Sequence, residues 1–366
     1  MSNHEKIFLI DGNSFDKDGL LSFCYGNIAS PGTPGREREI WEFLLEWLSP
    51  DDHIEVQTSG STGKPKKIRL QKKHMEASAR LTLDFFNLKP HDTALLCLPV
   101  KYIAGKMMIV RALTGGLNLL LAPPSGVPDL GRFEKIAFSA MVPMQVSELL
   151  AKPDGRIQLE KIETLIIGGS FLDQSLEKKL KTMENSIWQT YGMTETISHI
   201  ALRKLNGPEA SVWYSPLQGV ELKKDDRGCL AITAPHIGVQ DLVTNDLVEF
   251  NEDGSFKILG RTDNVVISGG VKIFPEEIEK KAEALIPYPF FFSGLPDEKL
   301  GEKLILFICR DILTQSEKQN LKTSLSGILA RYEMPKEIIN LQTFEYNRQG
   351  KLLRKQTVDN FLNKSD

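Results

Sequence analysis

Ten consecutive residues at 58–67, TSGSTGKPKK, combine glycine, hydroxyl and lysine residues in a way that suits phosphate binding. Gly60 and Gly63 allow the backbone N–H groups to turn toward an anion. The hydroxyl groups would donate hydrogen bonds to phosphate oxygens, and the lysine side chains would neutralise their charge. The segment therefore predicts a phosphate cradle, which consists of Thr58, Ser59, Gly60, Ser61, Thr62, Gly63 and Lys64.

The P-loop of nucleoside triphosphatases is excluded by the spacing of this segment. A P-loop has the pattern G-x-x-x-x-G-K-[ST]. Here Gly60 and Gly63 are closer together than that pattern requires, and Pro65 follows Lys64 where Ser or Thr should stand. A plain surface loop of the same composition stays open as an alternative when the segment is considered alone.

The elements that would position the cradle follow an α/β pattern. Short apolar runs such as TALLCLPV, ETLIIGGS and SIWQTYG alternate with helical patterns such as LDQSLEKKLKTME. This alternation predicts βαβ units around a mainly parallel sheet, with ligands near the C-terminal ends of its strands. Helical spacing also predicts a helix over 36–49, with Trp41 and Trp47 in the core, and a helix over 71–87.

The chain is predicted to contain a large N-terminal domain, residues 1–260, and a smaller C-terminal domain, residues 261–366. Strand-like periodicity predicts a small β subdomain at about 215–260 within the larger domain. Arg-Thr-Asp-Asn at 261–264 marks the predicted boundary. Beyond it, strands and a helix opened by Pro275 predict a compact α+β fold.

The composition argues against several classes of protein. The 366 residues carry a formal net charge of −3, spread over mixed-sign helices, so nucleic acid is not an expected partner. The four cysteines include no C-x-x-C pair, which argues against a zinc site and a disulfide framework. The first residues lack a signal-peptide pattern, and no apolar run has the length of a membrane span. We therefore expect a cytoplasmic protein.

Four further segments follow the cradle in the order found in the acyl-adenylate-forming superfamily, which includes acyl-CoA synthetases, adenylation domains and luciferases. They are YGMTET at 191–196, TNDLVEF at 244–250, GRTDNVVISGGVKIFPEEIE at 260–279 and NRQGKLLRK at 347–355. On these five segments the chain resembles that superfamily. Within it, the surroundings of YGMTETIS and SGGVKIFPEEIE and the short length resemble o-succinylbenzoate–CoA ligases. The cradle lies earlier than in most of the superfamily, so the resemblance implies a shortened N-terminal region.

The resemblance implies roles for the residues of these segments. Glu195 would bind Mg²⁺ beside the nucleotide phosphates, since a hard carboxylate oxygen suits that ion. Thr194 would contact the α-phosphate, and Asp246 would accept hydrogen bonds from the ribose hydroxyls. The other nucleotide-side residues that it implies are Gly168, Gly169, Ser170, Tyr191, Gly192, Met193 and Arg261.

One position departs from the superfamily pattern. The residue before Asp246 is usually glycine there, and this chain has Asn245. Because Asn tolerates a positive φ better than most other residues, we expect the backbone turn at this position to be kept.

The C-terminal segments imply a reaction in two steps. Lys351 would stabilise the charge that develops when a carboxylate attacks the α-phosphorus of ATP. Asp263 stands at the hinge of the superfamily, about which the C-terminal domain moves as a mobile lid. Gly269 and Gly270 would then lie close to the pantetheine arm of coenzyme A, because glycine permits close approach of the backbone.

The stretch LPVKYIAG at 98–105 corresponds to the acyl pocket of the superfamily. Lys101 and Tyr102 occupy the stretch in which the superfamily usually has an aromatic or His residue that lines the pocket. o-Succinylbenzoate keeps one carboxylate unreacted, so a cation near its far end is expected. Lys101, His199 and Arg203 are the candidates.

These features predict a ligase that uses ATP and Mg²⁺, acts on a small carboxylic acid and has coenzyme A as co-substrate. o-Succinylbenzoate in menaquinone synthesis is the preferred substrate. Another aryl- or acyl-CoA ligase, an adenylation protein that loads a carrier, and a nucleotide-binding relative without turnover stay open as alternatives. A homodimer is compatible with the sequence.

Overall fold

The computed structural model describes residues 7–57, 67–170, 172–346 and 352–363. In the first part of the chain, the elements are β1 (Phe8–Ile10), β2 (Asn13–Phe15), α1 (Lys17–Ala29), α2 (Gly35–Leu48), β3 (His53–Gln57), β4 (Lys67–Gln71), α3 (Lys72–Phe85), β5 (Thr93–Leu96), α4 (Ile103–Gly115), β6 (Asn118–Leu121), β7 (Ile136–Met141), α5 (Pro143–Leu150), α6 (Gly155–Glu160), β8 (Ile162–Ile167), α7 (Gln174–Leu180), β9 (Ser186–Gly192), β10 (His199–Lys204) and β11 (Ser215–Pro216). The later elements are β12 (Glu221–Lys224), β13 (Cys229–Ala234), β14 (Val239–Phe250), β15 (Phe256–Arg261), β16 (Val266–Ser268), β17 (Val271–Ile273), α8 (Pro275–Ala282), β18 (Phe290–Asp297), β19 (Gly301–Cys309), α9 (Gln315–Ser326), β20 (Glu337–Leu341) and α10 (Arg354–Leu362).

The largest sheet is parallel through its centre. Its strand order is β11-β10-β9-β8-β7-β5-β6-β1-β2. The six central strands, β9-β8-β7-β5-β6-β1, pair parallel with their neighbours. At the two edges of the sheet, β2 pairs antiparallel with β1, β10 with β9, and β11 with β10. The apolar runs that predicted parallel strands are these central strands, and the α/β class is confirmed.

The helices of this region bury the faces that their spacing predicts. α2 and α3 correspond to the helices predicted over 36–49 and 71–87, and Trp41 and Trp47 are buried in the core as expected. α4 is buried from Gly105 to Leu113, so it is covered on most of its circumference. This burial includes two charged residues, which are described with the site.

A second sheet, antiparallel and four-stranded in the order β12-β13-β14-β15, occupies the strand-rich region that the sequence predicts. The register of β14 and β15 places Asp246 opposite Arg261. Asn245 lies inside β14 and is not among the residues with a positive φ. The expectation that Asn245 replaces a glycine by adopting a positive φ is therefore wrong, because this position is extended strand.

A third sheet has the order β17-β16-β19-β18, with β20 parallel to β19. β18 and β19 were not predicted as strands, although FFFSGLPD and LILFIC are strongly apolar. Buried side chains of the described residues form two apolar clusters between Phe8 and Phe256 and two others between Val266 and Val358. None of these clusters joins the third sheet to the first two.

β3 and β4 form a separate hairpin in which Gln57 pairs with Lys67. The intervening residues are the predicted cradle, and residues 58–66 lie outside the described part of the chain. Across the described ranges, none of the helices has both the length and the apolar character needed to cross a lipid bilayer.

Candidate nucleotide site

The predicted nucleotide-side residues meet where β8 and β9 end beside β14. Gly168, Gly169 and Ser170 follow β8, and Gly192 closes the adjacent strand β9. A side-chain carbon on Gly168 would lie 2.1 Å from Thr190 Oγ1, so only glycine allows the two segments to approach this closely. The ends of these parallel strands are where an α/β sheet binds ligands.

Asp246 is the centre of the polar contacts at this position. The hydroxyl of Tyr191 donates to Asp246 Oδ2 at 2.7 Å, and Arg261 Nη1 donates to Asp246 Oδ1 at 2.9 Å. The Asp246 N–H donates to Thr244 Oγ1 at 3.0 Å, which fixes the backbone. Because a carboxylate accepts about four hydrogen bonds, two positions on Asp246 stay available for a diol.

The protonation states of its neighbours suit this geometry. Burial raises the pKa of Tyr191, and the carboxylate of Asp246 raises it further, so the phenol stays protonated and donates. Burial opposes the charge of Arg261, but Asp263 and Asp246 outweigh it and raise the pKa of the guanidinium. Arg261 Nη2 also donates to Asp263 Oδ2 at 2.9 Å, so the predicted hinge residue is tied to the nucleotide side.

The YGMTET motif ends in a tight turn. Thr194–Thr196 form a 3₁₀ turn, and Thr196 Oγ1 accepts a hydrogen bond from the Met193 N–H at 2.9 Å. A side-chain carbon on Gly192 would lie 2.3 Å from the carbonyl oxygen of Ser198, which explains the glycine. Ile197 has a φ of +64°, a strained value for a β-branched residue. Such strain occurs where the surrounding structure holds a functional loop.

This turn presents Glu195 toward solvent and leaves Thr194 half-buried. Glu195 is exposed, and no hydrogen bond or ion pair involves its side chain within the described ranges. Those ranges also contain no cluster of three or more His, Cys, Asp or Glu residues that could hold a metal ion. One free carboxylate fits Mg²⁺ that takes its remaining ligands from phosphates and water, as is usual for this ion.

The structure reveals a buried cation that the sequence analysis missed. Arg111 on α4 is 2% exposed, its Nε donates to Thr82 Oγ1 at 3.1 Å, and its Nη2 donates to Ser198 Oγ. No carboxylate pairs with it among the described residues. Burial lowers the pKa of Arg111 to about 9, so the guanidinium is still charged at neutral pH. An arginine inside the apolar pattern IAGKMMIVRALTGG was the signal that could have identified it.

His199 belongs to the same buried cluster. Its Nε2 is 3.3 Å from Thr82 Oγ1 and its Nδ1 is 3.3 Å from Ser198 Oγ. Burial, followed by the nearby charge of Arg111, lowers the pKa of His199 well below its usual value. His199 is therefore a neutral imidazole, and Arg111 carries the charge in this cluster.

The other two proposed cations lie in different surroundings. Arg203 is neutralised by Glu177, whose Oε2 accepts from Nη2 at 2.7 Å, and it also donates to Gln189. Lys101 is exposed and lies 5.1 Å from the ring centre of Tyr102. It lines a cavity of about 260 Å³ with Lys106, Gln57 and Lys67. Gln57 and Lys67 flank the predicted cradle in the sequence, and Arg111 does not line this cavity.

Two of the remaining predicted residues lie in the third sheet. Gly269 and Gly270 form the turn between β16 and β17 with φ values of +59° and +81°, which require glycine or a similarly permissive residue. Lys351, like the cradle residues 58–64, lies outside the described ranges.

Comparison with known proteins gives consistent results. Residues 8–230 match the family described as AMP-binding enzyme. A 2-succinylbenzoate–CoA ligase from Bacillus cereus is 24% identical over 390 residues, which cover 97% of this chain and 79% of that protein. Another from Lactococcus lactis subsp. lactis is 26% identical over 329 residues, covering 84% of this chain and 71% of that protein.

Solved structures share the fold. An acyl-CoA synthetase (AMP-forming)/AMP-acid ligase II-like protein from Dyadobacter fermentans is 34% identical, with 93% of this chain and 97% of that chain covered and a TM-score of 0.62. An o-succinylbenzoate CoA synthetase from Bacillus subtilis, in complex with the acyl-adenylate intermediate, has a TM-score of 0.75 at 18% identity, covering 97% of this chain and 95% of that chain.

Proposed function

Because the chain belongs to the AMP-binding enzyme family, we propose that it is an ATP- and Mg²⁺-dependent carboxylic acid–CoA ligase that proceeds through an acyl-adenylate. The observation that carries the proposal is the carboxylate of Asp246, held between Tyr191 and Arg261 beside the YGMTET turn. It offers two acceptor positions at the place where the parallel strands end, which suits the two hydroxyls of a ribose.

In the first step the carboxylate of the acid attacks the α-phosphorus of ATP and displaces pyrophosphate. We assign the ribose to Asp246, the α-phosphate to Thr194, and the β- and γ-phosphates to the cradle. Mg²⁺, bound through Glu195, supplies positive charge to the phosphates when present. Lys351 supplies a second positive charge to the transition state.

In the second step the thiol of coenzyme A attacks the acyl-adenylate carbonyl and releases AMP. We propose that residues 1–260 and 261–366 are two units that reorient about Asp263 between the steps. The separation of their apolar clusters supports this division, since small polar interfaces permit relative motion. Gly269 and Gly270 would then approach the pantetheine arm.

We propose o-succinylbenzoate as the acid, in agreement with the names of the relatives. Its second carboxylate needs a cation, and Arg111 is a buried guanidinium without a carboxylate partner in the described ranges. A buried charge is stabilised strongly by an ion of opposite sign. Ser198, which is half-buried and accepts from Arg111, extends this anion site toward the YGMTET turn.

The test is acid-dependent exchange of labelled pyrophosphate into ATP over a panel of carboxylic acids, followed by a thioester assay with coenzyme A. We expect exchange with o-succinylbenzoate above that with benzoate and fatty acids, and a CoA thioester as product. Exchange with a different acid would refute the substrate. If pyrophosphate exchange occurred but the acyl group were transferred to a holo-carrier protein instead of coenzyme A, the proposed CoA-ligase activity would be refuted. If the protein bound ATP without any exchange, the proposal that it is an enzyme would be refuted.

A further inference from the structure

The helix α8 divides its surface between two partners. Its apolar residues Ile278 and Ala282 belong to the apolar cluster of the third sheet, with Ile286 just beyond the helix. Its other side faces the first two sheets, where the described residues share no apolar cluster with it. Polar side chains of α8 contribute to the contact between the two units, in addition to the hydrogen bond from Arg261 to Asp246.

Three of these side chains are Glu276, Lys280 and Glu283, which we call the docking face. Their spacing of four and three residues places them on one side of a helix. Glu276 lies at the start of α8 and Glu283 directly follows its end. The docking face therefore extends along the whole helix.

Glu283 makes the most specific contact of the docking face. Its Oε2 accepts from the Gln174 N–H at 2.9 Å, and its Oε1 accepts from the Ser175 N–H at 3.3 Å. These are the first two N–H groups of α7, which have no acceptor inside that helix. A carboxylate at this position also interacts favourably with the helix dipole. The following N–H, that of Leu176, is capped from within the same unit by Asp173 at 2.7 Å.

The two other residues extend the contact. Asn264, which belongs to the same unit, donates to Glu276 Oε1 and orients its carboxylate, while Glu276 Oε2 is buried without a hydrogen-bond partner among the described residues. A side-chain carbon on Gly260 would lie 2.6 Å from that oxygen, so Glu276 packs directly against β15. Burial lowers the pKa of Lys280, the charge of Arg203 in β10 lowers it further, and the charge of Glu177 in α7 opposes this shift.

The helix that carries the docking face contacts elements on both sides of the proposed reaction: α7 beside the nucleotide side, and the start of α10. α7 follows closely after Gly168–Ser170, the turn assigned to the nucleotide side. On a neighbouring side of α8, Glu279 accepts two hydrogen bonds from Arg354, at 2.5 and 2.6 Å. Arg354 begins α10. The orientation of α8 therefore sets where α10 starts relative to the nucleotide side.

We propose that Glu283, with Lys280 and Glu276, is a positioning residue that docks the C-terminal unit on α7, and that this docking serves one of the two half-reactions. The role of this docking in a half-reaction rests on the proposed function, whereas the docking contact itself does not. Because the contact is polar and one carboxylate oxygen of Glu276 is unpaired, its release costs less than the separation of two apolar surfaces.

The docking is tested by hydrogen exchange of individual backbone amides. In the wild type we expect the Gln174 and Ser175 amides to be protected, and Glu283→Ala to accelerate their exchange about tenfold. The Leu176 amide keeps the Asp173 cap and should not change. Glu298→Ala, which removes an exposed acid in the turn after β18, is the matched control and should leave all three amides unchanged. Unaltered exchange of Gln174 and Ser175 in Glu283→Ala would overturn the docking.

The role in the reaction is tested by measuring both half-reactions in the same variant. We expect Glu283→Ala to change the ratio of pyrophosphate exchange to thioester formation from synthetic acyl-adenylate by about fivefold, with the affinity for ATP unchanged. An unchanged ratio would overturn the positioning role. Absence of exchange in the wild type would instead refute the proposed function, and the amide measurement would still decide the docking.

Discussion

At the scale of single residues, the nucleotide site depends on the contacts of one carboxylate. Asp246 is 9% exposed and receives hydrogen bonds from Tyr191 and Arg261. The ring of Tyr191 packs against Phe256 and Tyr214, with ring centres 5.3 and 6.1 Å away. Tyr191 therefore contacts Asp246 through its hydroxyl, and we propose that this hydrogen bond orients the carboxylate for the ribose.

Removing that hydroxyl should affect recognition of the ribose. We expect Tyr191→Phe to raise the dissociation constant of ATP about tenfold, because Asp246 loses a charge-assisted hydrogen bond. The affinity for 2′,3′-dideoxy-ATP should stay the same, since this nucleotide has no hydroxyl for Asp246. Calorimetric titration of both nucleotides measures the effect. Tyr214→Phe, which leaves Asp246 untouched, is the control, and an equal loss for both nucleotides would contradict the assignment.

The proposed anion site at Arg111 leads to a second prediction. We expect Arg111→Met to lower kcat/KM for o-succinylbenzoate about 10- to 100-fold, because the second carboxylate loses its cation. The value for a monocarboxylate analogue should change little. Steady-state kinetics with both acids give the comparison, and Lys101→Met serves as control. A similar loss for both acids would show that Arg111 maintains the fold instead of selecting the substrate.

At the scale of elements, the cluster of Arg111, Thr82 and His199 joins α4, α3 and β10. These elements are brought together by the packing of helices on the main sheet. The cluster places a neutral imidazole and a charged guanidinium in the protein interior. The free energy of unfolding of the protein must therefore depend on pH, because protonation of the His199 imidazole would add a second buried positive charge.

The sign of this dependence follows from the lowered pKa of His199. Above its usual pKa of 6.5 the imidazole is neutral in both states, and the stability is fully present. As the pH falls below that value the unfolded chain binds a proton that the folded protein does not, so the stability decreases by up to about 1.4 kcal/mol per pH unit. We expect His199→Gln to remove the part of this decrease that His199 causes. The measurement is the free energy of unfolding in urea between pH 7 and pH 5.

The comparison must separate His199 from other histidines. His91→Asn, at an exposed position where the backbone φ is positive and Asn is tolerated, is the control and should keep the pH slope of the wild type. Parallel slopes for the wild type and His199→Gln would mean that His199 is protonated in the folded protein.

At the scale of the whole molecule, the third sheet shares no apolar cluster with the first two sheets within the described ranges. The proposed hinge residue Asp263 forms an ion pair of 2.9 Å with Arg261, which also donates a hydrogen bond to Asp246 of the second sheet. The nucleotide site is thus continuous with the proposed hinge. This arrangement is suited to a protein that reorients one unit between two chemical steps.

Substitution of Lys351 tests whether the C-terminal unit supplies a catalytic residue to the first step only. We expect Lys351→Ala to lower the rate of adenylate formation at least about 100-fold, because a charge on the developing transition state is lost. Thioester formation from synthetic acyl-adenylate should keep most of its rate, because the thiol attacks the carbonyl carbon in that step and no bond to the α-phosphorus is formed or broken. Single-turnover assays of each step provide the measurement, with Lys355→Ala as the neighbouring control. Equal loss in both steps would contradict the role of Lys351.

Local patterns were sufficient for the class of fold and for the family. The parallel strands of the main sheet are short apolar runs, and the helices predicted over 36–49 and 71–87 have periodic apolar faces that the structure buries. The YGMTET and GRTDNVVISGG segments are contiguous, so their glycines and carboxylates can be recognised without knowledge of the fold. Periodicity and motifs are properties of neighbouring residues, and the sequence contains them directly.

Contacts between distant segments were decided only by the tertiary structure. Tyr191 and Asp246 are 55 residues apart, and Arg111 and Ser198 are 87 apart, so their pairing depends on the order of strands and the packing of helices. For the same reason the sequence suggested Lys101, His199 and Arg203 as cations near the substrate, while burial and partners distinguish Arg111 from them. The sequence identifies which side chains can carry a charge, but only the folded structure determines how far each one is desolvated and which groups it contacts.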